Sequence, residues 1–174
     1  MLLTSLSALR ERLLMLGAKP AHVSHLLRSW LHARALDASR NKRPEHYLPL
    51  ALRRAWPDLA QQLAALTTVV SKHDAADGAT RLLVALHDGQ TVESVLLPAK
   101  PARPAQPATT PMADDASMST PAQGLCVSTQ VGCAVGCTFC KTGEGGLARQ
   151  MGSAEIAAQL ALARALKRRV NKIV

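Results

Sequence analysis

The sequence predicts an α/β protein with a small helical domain first, a short antiparallel sheet next, and a β/α unit last. Three observations carry that prediction. Leucines recur at helical spacing near the start, as in Leu6, Leu9, Leu13 and Leu16. Two apolar runs flank His87-Asp88-Gly89-Gln90, a hairpin pattern. Finally, an apolar run, a cysteine-rich loop and an Ala/Leu-rich segment of helical period follow one another from Leu125 onward.

The elements follow in order. Leu2, Leu3, Leu6, Leu9, Leu13 and Leu16 make one helical stripe, and Gly17 is placed to cap it. Pro20 opens a second helix with Val23, Leu26, Leu27, Trp30 and Leu31 on one face. A third helix is expected from Pro49 towards Leu66, broken at Trp56-Pro57, where proline removes a backbone donor. Residues 1–66 thus form the helical domain. Its cations (Arg28, Arg34, Arg40, Lys42, Arg43, Arg53, Arg54) suit either RNA contact or an ordinary solvated surface.

Residues 67–97 form the sheet, with strands at Thr67–Ser71, Arg81–Leu86 and Thr91–Leu97. The turn at 87–90 is expected to be type I′, with positive φ at both central positions. Residues 98–122 read as a linker, rich in proline and alanine with little to bury. Residues 123–174 then supply a strand from Leu125 to Val131, the cysteine loop, and a helix from near Ser153. In that helix Ile156, Leu160, Ala163 and Leu166 face inward, Ser153 caps, and Glu155 complements the helix dipole. It ends in Lys167-Arg168-Arg169, and Asn171–Val174 begins another strand.

Composition narrows the function. Apolar residues are 48% of the 174 and aromatics 2%, so the core is built from Leu, Ala and Val. So few aromatics disfavour a base-stacking RNA-binding sheet. A net charge of +9 favours a polyanionic partner, because Lys and Arg release counterions from a phosphate backbone. Arg10, Glu11 and Arg12 interrupt the opening apolar run, which argues against a secretory signal. No apolar stretch approaches the ~18 residues that cross a bilayer. Four cysteines within a short span suit a reducing cytosol better than a disulfide framework, so a cytoplasmic location is expected.

Chemistry concentrates in Cys133-Ala134-Val135-Gly136-Cys137-Thr138-Phe139-Cys140. Cys133, Cys137 and Cys140 can hold three irons of a cubane cluster and leave the fourth open for chemistry. Gly132 and Gly136 permit a tight backbone around it. The rival is a zinc site completed by Cys126, although only Cys137 and Cys140 have the usual C-x-x-C spacing. Phe139 either shields the cluster or packs in the core. Taken alone, Cys126 reads as a small buried hydrophobe and Glu93 as a solvated strand carboxylate. Gly143, Gly145 and Gly146 form a bend. Arg149 and the group Arg164, Lys167, Arg168, Arg169 and Lys172 suit either RNA phosphates or a solvated helix end.

The C-x-x-x-C-x-x-C spacing is the signature of radical S-adenosylmethionine enzymes. The residues around it, Leu125–Cys133 and Cys137–Gly143, resemble the RlmN/Cfr family of radical-SAM RNA adenine methyltransferases. So do Asp88–Pro98 upstream and Ala154–Gln159 downstream. The likeness is weak before Arg81 and strong from Asp88 onward. It implies a [4Fe-4S] cluster on Cys133, Cys137 and Cys140, S-adenosylmethionine on the open iron, and an electron donor such as flavodoxin. It implies Glu93 as proton acceptor and Cys126 as the thiol that resolves a covalent RNA intermediate through a transient disulfide with a C-terminal cysteine. The product would be an adenine of ribosomal or transfer RNA methylated on a ring carbon, carbon 2 by the closer motif match. Lys141 departs from the small polar residue of many relatives. The segment 123–174 would be the first unit of a truncated radical-SAM (β/α) barrel. The chain lacks the family's later cofactor segment and C-terminal cysteine, so by itself it is not expected to complete turnover.

Overall fold

The computed structural model describes residues 4–36, 47–98, 122–138 and 140–174. Nearly all of the expected linker, together with Phe139, Leu2, Leu3, Arg40, Lys42 and Arg43, lies outside the described residues. The architecture is mixed α/β, with four α-helices and seven strands among the described residues.

Helix α1 is Leu6–Met15, with Leu9 and Leu13 buried. Gly17 ends it at φ +83°: its N–H bonds Leu14 O (2.9 Å), and the N–H of Ala18 bonds Leu13 O (3.0 Å). That pair of bonds satisfies two terminal carbonyls and needs a left-handed residue at Gly17. Helix α2 is Pro20–Leu31, begun by proline as expected, with His22 Nδ1 accepting the Lys19 N–H at 3.1 Å. Helix α3 is Leu50–Ala64 and runs unbroken through Pro57. The expected break is absent because Pro57 lies on the exposed side, where the carbonyl it leaves without a donor can be hydrated.

The strands β1 (Thr67–Asp74), β2 (Thr80–Leu86) and β3 (Thr91–Leu96) form an antiparallel meander. The β2–β3 turn differs from the expected type I′. Positive φ occurs at Gly89 alone (+82°), and Gly89 N–H bonds Leu86 O at 2.9 Å. This is a type I turn closed by a left-handed glycine, which lets Asp88 keep an ordinary φ and accept the Gln90 N–H through Oδ1 (3.1 Å).

The later segment joins the same sheet. β4 (Gln123–Cys126) pairs antiparallel with β3 and parallel with β7 (Val170–Ile173), giving the order β1-β2-β3-β4-β7. The single strand expected from Leu125 to Val131 is two: β4, and β5 (Gln130–Gly132), which pairs with β6 (Leu147–Gln150) in a separate hairpin. Helix α4, Ser153–Ala165, makes the crossover from this hairpin to β7.

α4 is buried almost all round. Ala154 and Ala158 join the leucine core of α1, α2 and α3, while Leu160 and Ala163 join the core beneath β2, β3 and β4. Leu166, expected inward, is 43% exposed because it already stands past the helix end. Ser153 does not cap its own helix. Its Oγ accepts the Leu6 N–H of α1 (2.9 Å), and Thr4 O accepts the Ala154 N–H in return (2.9 Å). The two helix starts thereby satisfy each other's orphan donors. Gly152 makes this approach possible, since a Cβ there would overlap the Thr4 carbonyl.

Gly152→Ala is therefore expected to lower stability by about 1–3 kcal/mol, the usual cost of overpacking. Gly145→Ala, with open space around its Cβ, serves as the neutral comparison. Urea melts of the two variants measure the difference.

Candidate functional site

The outer face of the sheet carries two of the expected site residues. Along β3 the buried Val92, Ser94 and Leu96 alternate with the outward Thr91, Glu93 and Val95. Val95 stands opposite Cys126 in the β3–β4 register, so Glu93 and Cys126 share that face one step apart on neighbouring strands. Glu93 is half exposed, with Arg81 Nη1 3.6 Å from Oε1, a solvated pairing that leaves the carboxylate available. Cys126 is a free, partly buried thiol at the strand end.

This part of the sheet is held by one buried side chain. Gln159 of α4 is 1% exposed, and its Oε1 accepts from Ser94 Oγ (2.8 Å) and from Ser128 N–H (2.9 Å). Its Nε2 donates to Ser128 O (2.8 Å), while Ser128 Oγ donates to Glu93 O (2.7 Å). An amide side chain thus occupies both backbone groups of Ser128, which would otherwise need a strand partner. That is the physical reason the expected long strand divides here.

The cysteine loop is closed at its base by the β5–β6 hairpin. Gly132 has φ +74°, a Cβ there would overlap Gly146 O, and that same oxygen accepts the Cys133 N–H at 3.0 Å. Within the loop Cys140 N–H bonds Cys137 O (3.0 Å), and a short 3₁₀ turn, Lys141–Gly143, follows. Residues 134–138 are exposed, and Cys133, Cys137 and Cys140 are all free thiols. Among the described residues no three His, Cys, Asp or Glu side chains are gathered as a metal site. The donor set still suits a cluster: three unpaired thiols on one loop whose base is closed by the hairpin. Phe139 lies outside the described residues. Cys126, the fourth thiol of the zinc alternative, belongs to the main sheet, not to this hairpin.

Arg149 of β6 is not available for phosphates. Its Nε and Nη2 reach Asp88 Oδ2 (2.8 and 2.7 Å), and Nη1 and Nη2 reach Glu155 Oε2 and Oε1 (3.0 and 2.8 Å). Glu155, 1% exposed, also accepts the Gly152 N–H (2.7 Å) and lies 3.3 Å from His87 Nε2. Burial alone would raise the Glu155 carboxyl, but bonds from Arg149 and Gly152 hold it below the usual carboxylate range. Asp88 is lowered in the same way: burial opposes, and Arg149 and the Gln90 N–H prevail. Arg164 is likewise committed, donating to Leu31 O (3.0 Å) and Val170 O (3.2 Å), and Arg168 donates to Thr80 Oγ1 (3.0 Å). Of that cationic group, Lys167, Arg169 and Lys172 stay exposed.

Sequence reading missed Gln159, Ser128 and Ser94 as a unit, and it placed Glu155 only at the helix dipole. One signal was present. Glu155 and Gln159 are polar residues four apart on an otherwise alanine- and leucine-rich helix, hence on one face.

The chain is similar to proteins named probable RNA methyltransferase. It is 53% identical over 166 residues to one from Methylibium petroleiphilum, covering 95% of this chain and 40% of that protein. It is 45% identical over 170 residues to one from Dechloromonas aromatica, covering 97% and 41%. A solved radical SAM methyltransferase from Sphaerobacter thermophilus matches at TM-score 0.57 and 29% identity, over 97% of this chain and 43% of that one. The chain therefore spans about two fifths of the length of the relatives it matches. No model of a known protein family matches it. Among the described residues no helix is long and apolar enough to cross a membrane.

Gln159→Leu would leave the Ser94 hydroxyl and both backbone groups of Ser128 without their partner. A fully buried loss costs about 1–3 kcal/mol each. Ser94 is buried but Ser128 is only half-buried and partly rehydrated, so the variant is expected to lose about 2–4 kcal/mol in urea unfolding. A loss under about 1 kcal/mol would mean water replaces the amide.

Proposed function

We propose that this chain works within a radical S-adenosylmethionine RNA methyltransferase of the RlmN/Cfr type, one that methylates a ring carbon, carbon 2, of an adenine in ribosomal or transfer RNA. The supporting observation is spatial. A loop with three free thiols hangs from a hairpin whose β5 strand runs beside β3, the strand that carries Glu93. Relatives named probable RNA methyltransferase and a structural neighbour named radical SAM methyltransferase favour the same reading.

Cys133, Cys137 and Cys140 would hold the [4Fe-4S] cluster, with S-adenosylmethionine on its open iron. A cluster held by these cysteines would supply the electron for reductive cleavage of S-adenosylmethionine. The chain's own residues then place and deprotonate. Glu93 takes the proton from the adenine ring carbon that receives the methyl group. It stands outward on the sheet, so bound RNA would shield it from water, where a carboxylate is a more effective acceptor. Cys126, beside Val95 on the same face, would be the resolving thiol, paired transiently with a C-terminal cysteine that these residues do not include. Exposed cations such as Arg28, Arg34, Arg54, Lys167 and Arg169 would meet RNA phosphates. An electron donor of the flavodoxin class would feed the cluster, in the cytoplasm.

Anaerobic reconstitution tests the cluster. Brown protein with about four irons per chain is expected, and Cys133→Ala, Cys137→Ala or Cys140→Ala should each abolish the iron–sulfide absorbance. Colourless protein holding zinc would sink the proposal. In the complete protein, Glu93→Gln is expected to cut RNA methylation by about 100-fold or more while S-adenosylmethionine cleavage persists. Equal loss of both activities would remove Glu93 from the proton step.

A further inference from the structure

The β5–β6 hairpin is a two-stranded ribbon outside the main sheet. An isolated pair of this size is marginal and needs outside attachment. Its apolar ties are few: Val131 and Met151 reach the core beneath the sheet, and Met151 N–H bonds Thr129 O (3.0 Å). Its polar tie is Arg149, opposite Val131 in the hairpin register, and Val131 lies two residues before the loop begins at Cys133.

We infer that Arg149 is a positioning residue: its guanidinium joins the cysteine-bearing hairpin to the β2–β3 turn through Asp88 and to the start of α4 through Glu155, and so fixes where the thiol loop stands relative to Glu93. This deepens the function proposed above and rests on it for its catalytic consequence. The geometry requires an arginine. One planar fork serves two carboxylates from different elements, with four contacts between 2.7 and 3.0 Å, and also donates to Gln150 O at 3.2 Å. An ammonium has neither the span nor the planarity to do this. Asp88 adds directionality, because Oδ1 is spent on the Gln90 N–H of its own turn and Oδ2 faces Arg149. That turn opens directly into β3, so the anchor point and Glu93 belong to one rigid hairpin. Glu155 lies one helical turn before Gln159, which holds Ser94 and Ser128. The loop, the carboxylate and the strand edge of Cys126 are thus referenced to one face of α4.

Arg149→Ala alone would strand the buried Glu155 charge and could unfold the chain. Three variants avoid that outcome. Arg149→Lys keeps the charge, Asp88→Asn breaks only the turn-side tie, and Arg149→Ala with Glu155→Gln removes both charges together. Amide hydrogen exchange is read on the metal-free complete protein over peptides covering 130–150, with α2 and α3 as internal reference. Exchange in the hairpin is expected to quicken by about tenfold in each variant, while the reference helices hold their wild-type rates. In the reconstituted enzyme, kcat for RNA methylation should fall by about tenfold or more, with KM within about twofold and iron per chain at the wild-type level, because a misplaced but intact loop costs rate more than binding.

Unchanged hairpin exchange in all three variants overturns the inference. So does a fall in kcat matched by an equal loss of iron, which would make Arg149 a folding residue only. If wild-type protein takes up no cluster, the functional proposal fails, while the exchange experiment still decides whether Arg149 anchors the hairpin.

Discussion

The arrangement depends on a helix that is buried on nearly every side yet carries two polar side chains inward. α4 lies between the leucine core of α1–α3 and the underside of the sheet, and small alanines at 154, 158, 161 and 163 let both sides approach. A buried carboxylate and a buried amide are costly unless every hydrogen-bonding position is filled. Glu155 and Gln159 are filled by groups from the β2–β3 turn, β3, the segment after β4 and β6. Desolvation therefore forces four separate chain segments into one register around one helix face.

That constraint explains why the outer sheet face is ordered as it is. Ser128 leaves the sheet because Gln159 takes its backbone groups, and the departure lets β5 start a second ribbon beside β3. The ribbon carries the thiol loop outward, where residues 134–138 are solvent-exposed, while its base is fastened to buried structure. An accessible tip on a fixed base is the arrangement that the proposed cluster would require.

Among the described residues, the cations singled out in the sequence fall into two populations with different work. Arg149, Arg164 and Arg168 turn inward to carboxylates, carbonyls and a hydroxyl, and burial with the nearby Arg34 charge holds Arg164 below its usual value. Arg28, Arg34, Arg54, Lys167, Arg169 and Lys172 stay in solvent. Net charge alone cannot distinguish these populations. Only the second can answer to a polyanion, so the electrostatic footprint is smaller than the total suggests.

By itself the sequence determined what local chemistry dictates. Leucine periodicity, Pro20 and Gly17 specified α1 and α2, because propensity and capping act within a few residues. The cysteine spacing nominated a candidate donor set, and the Asp-Gly pair placed the hairpin turn, though with the wrong turn type. What required tertiary structure was everything set by partners distant in the chain. The division of the strand after Cys126 depends on an amide 33 residues on, at Gln159. The survival of α3 through Pro57 depends on which side faces water. The inward turn of Arg149 depends on Asp88, brought beside it by a separate hairpin. Hydrogen-bond demand in a dry interior is satisfied wherever folding delivers a partner, and no local pattern encodes that address.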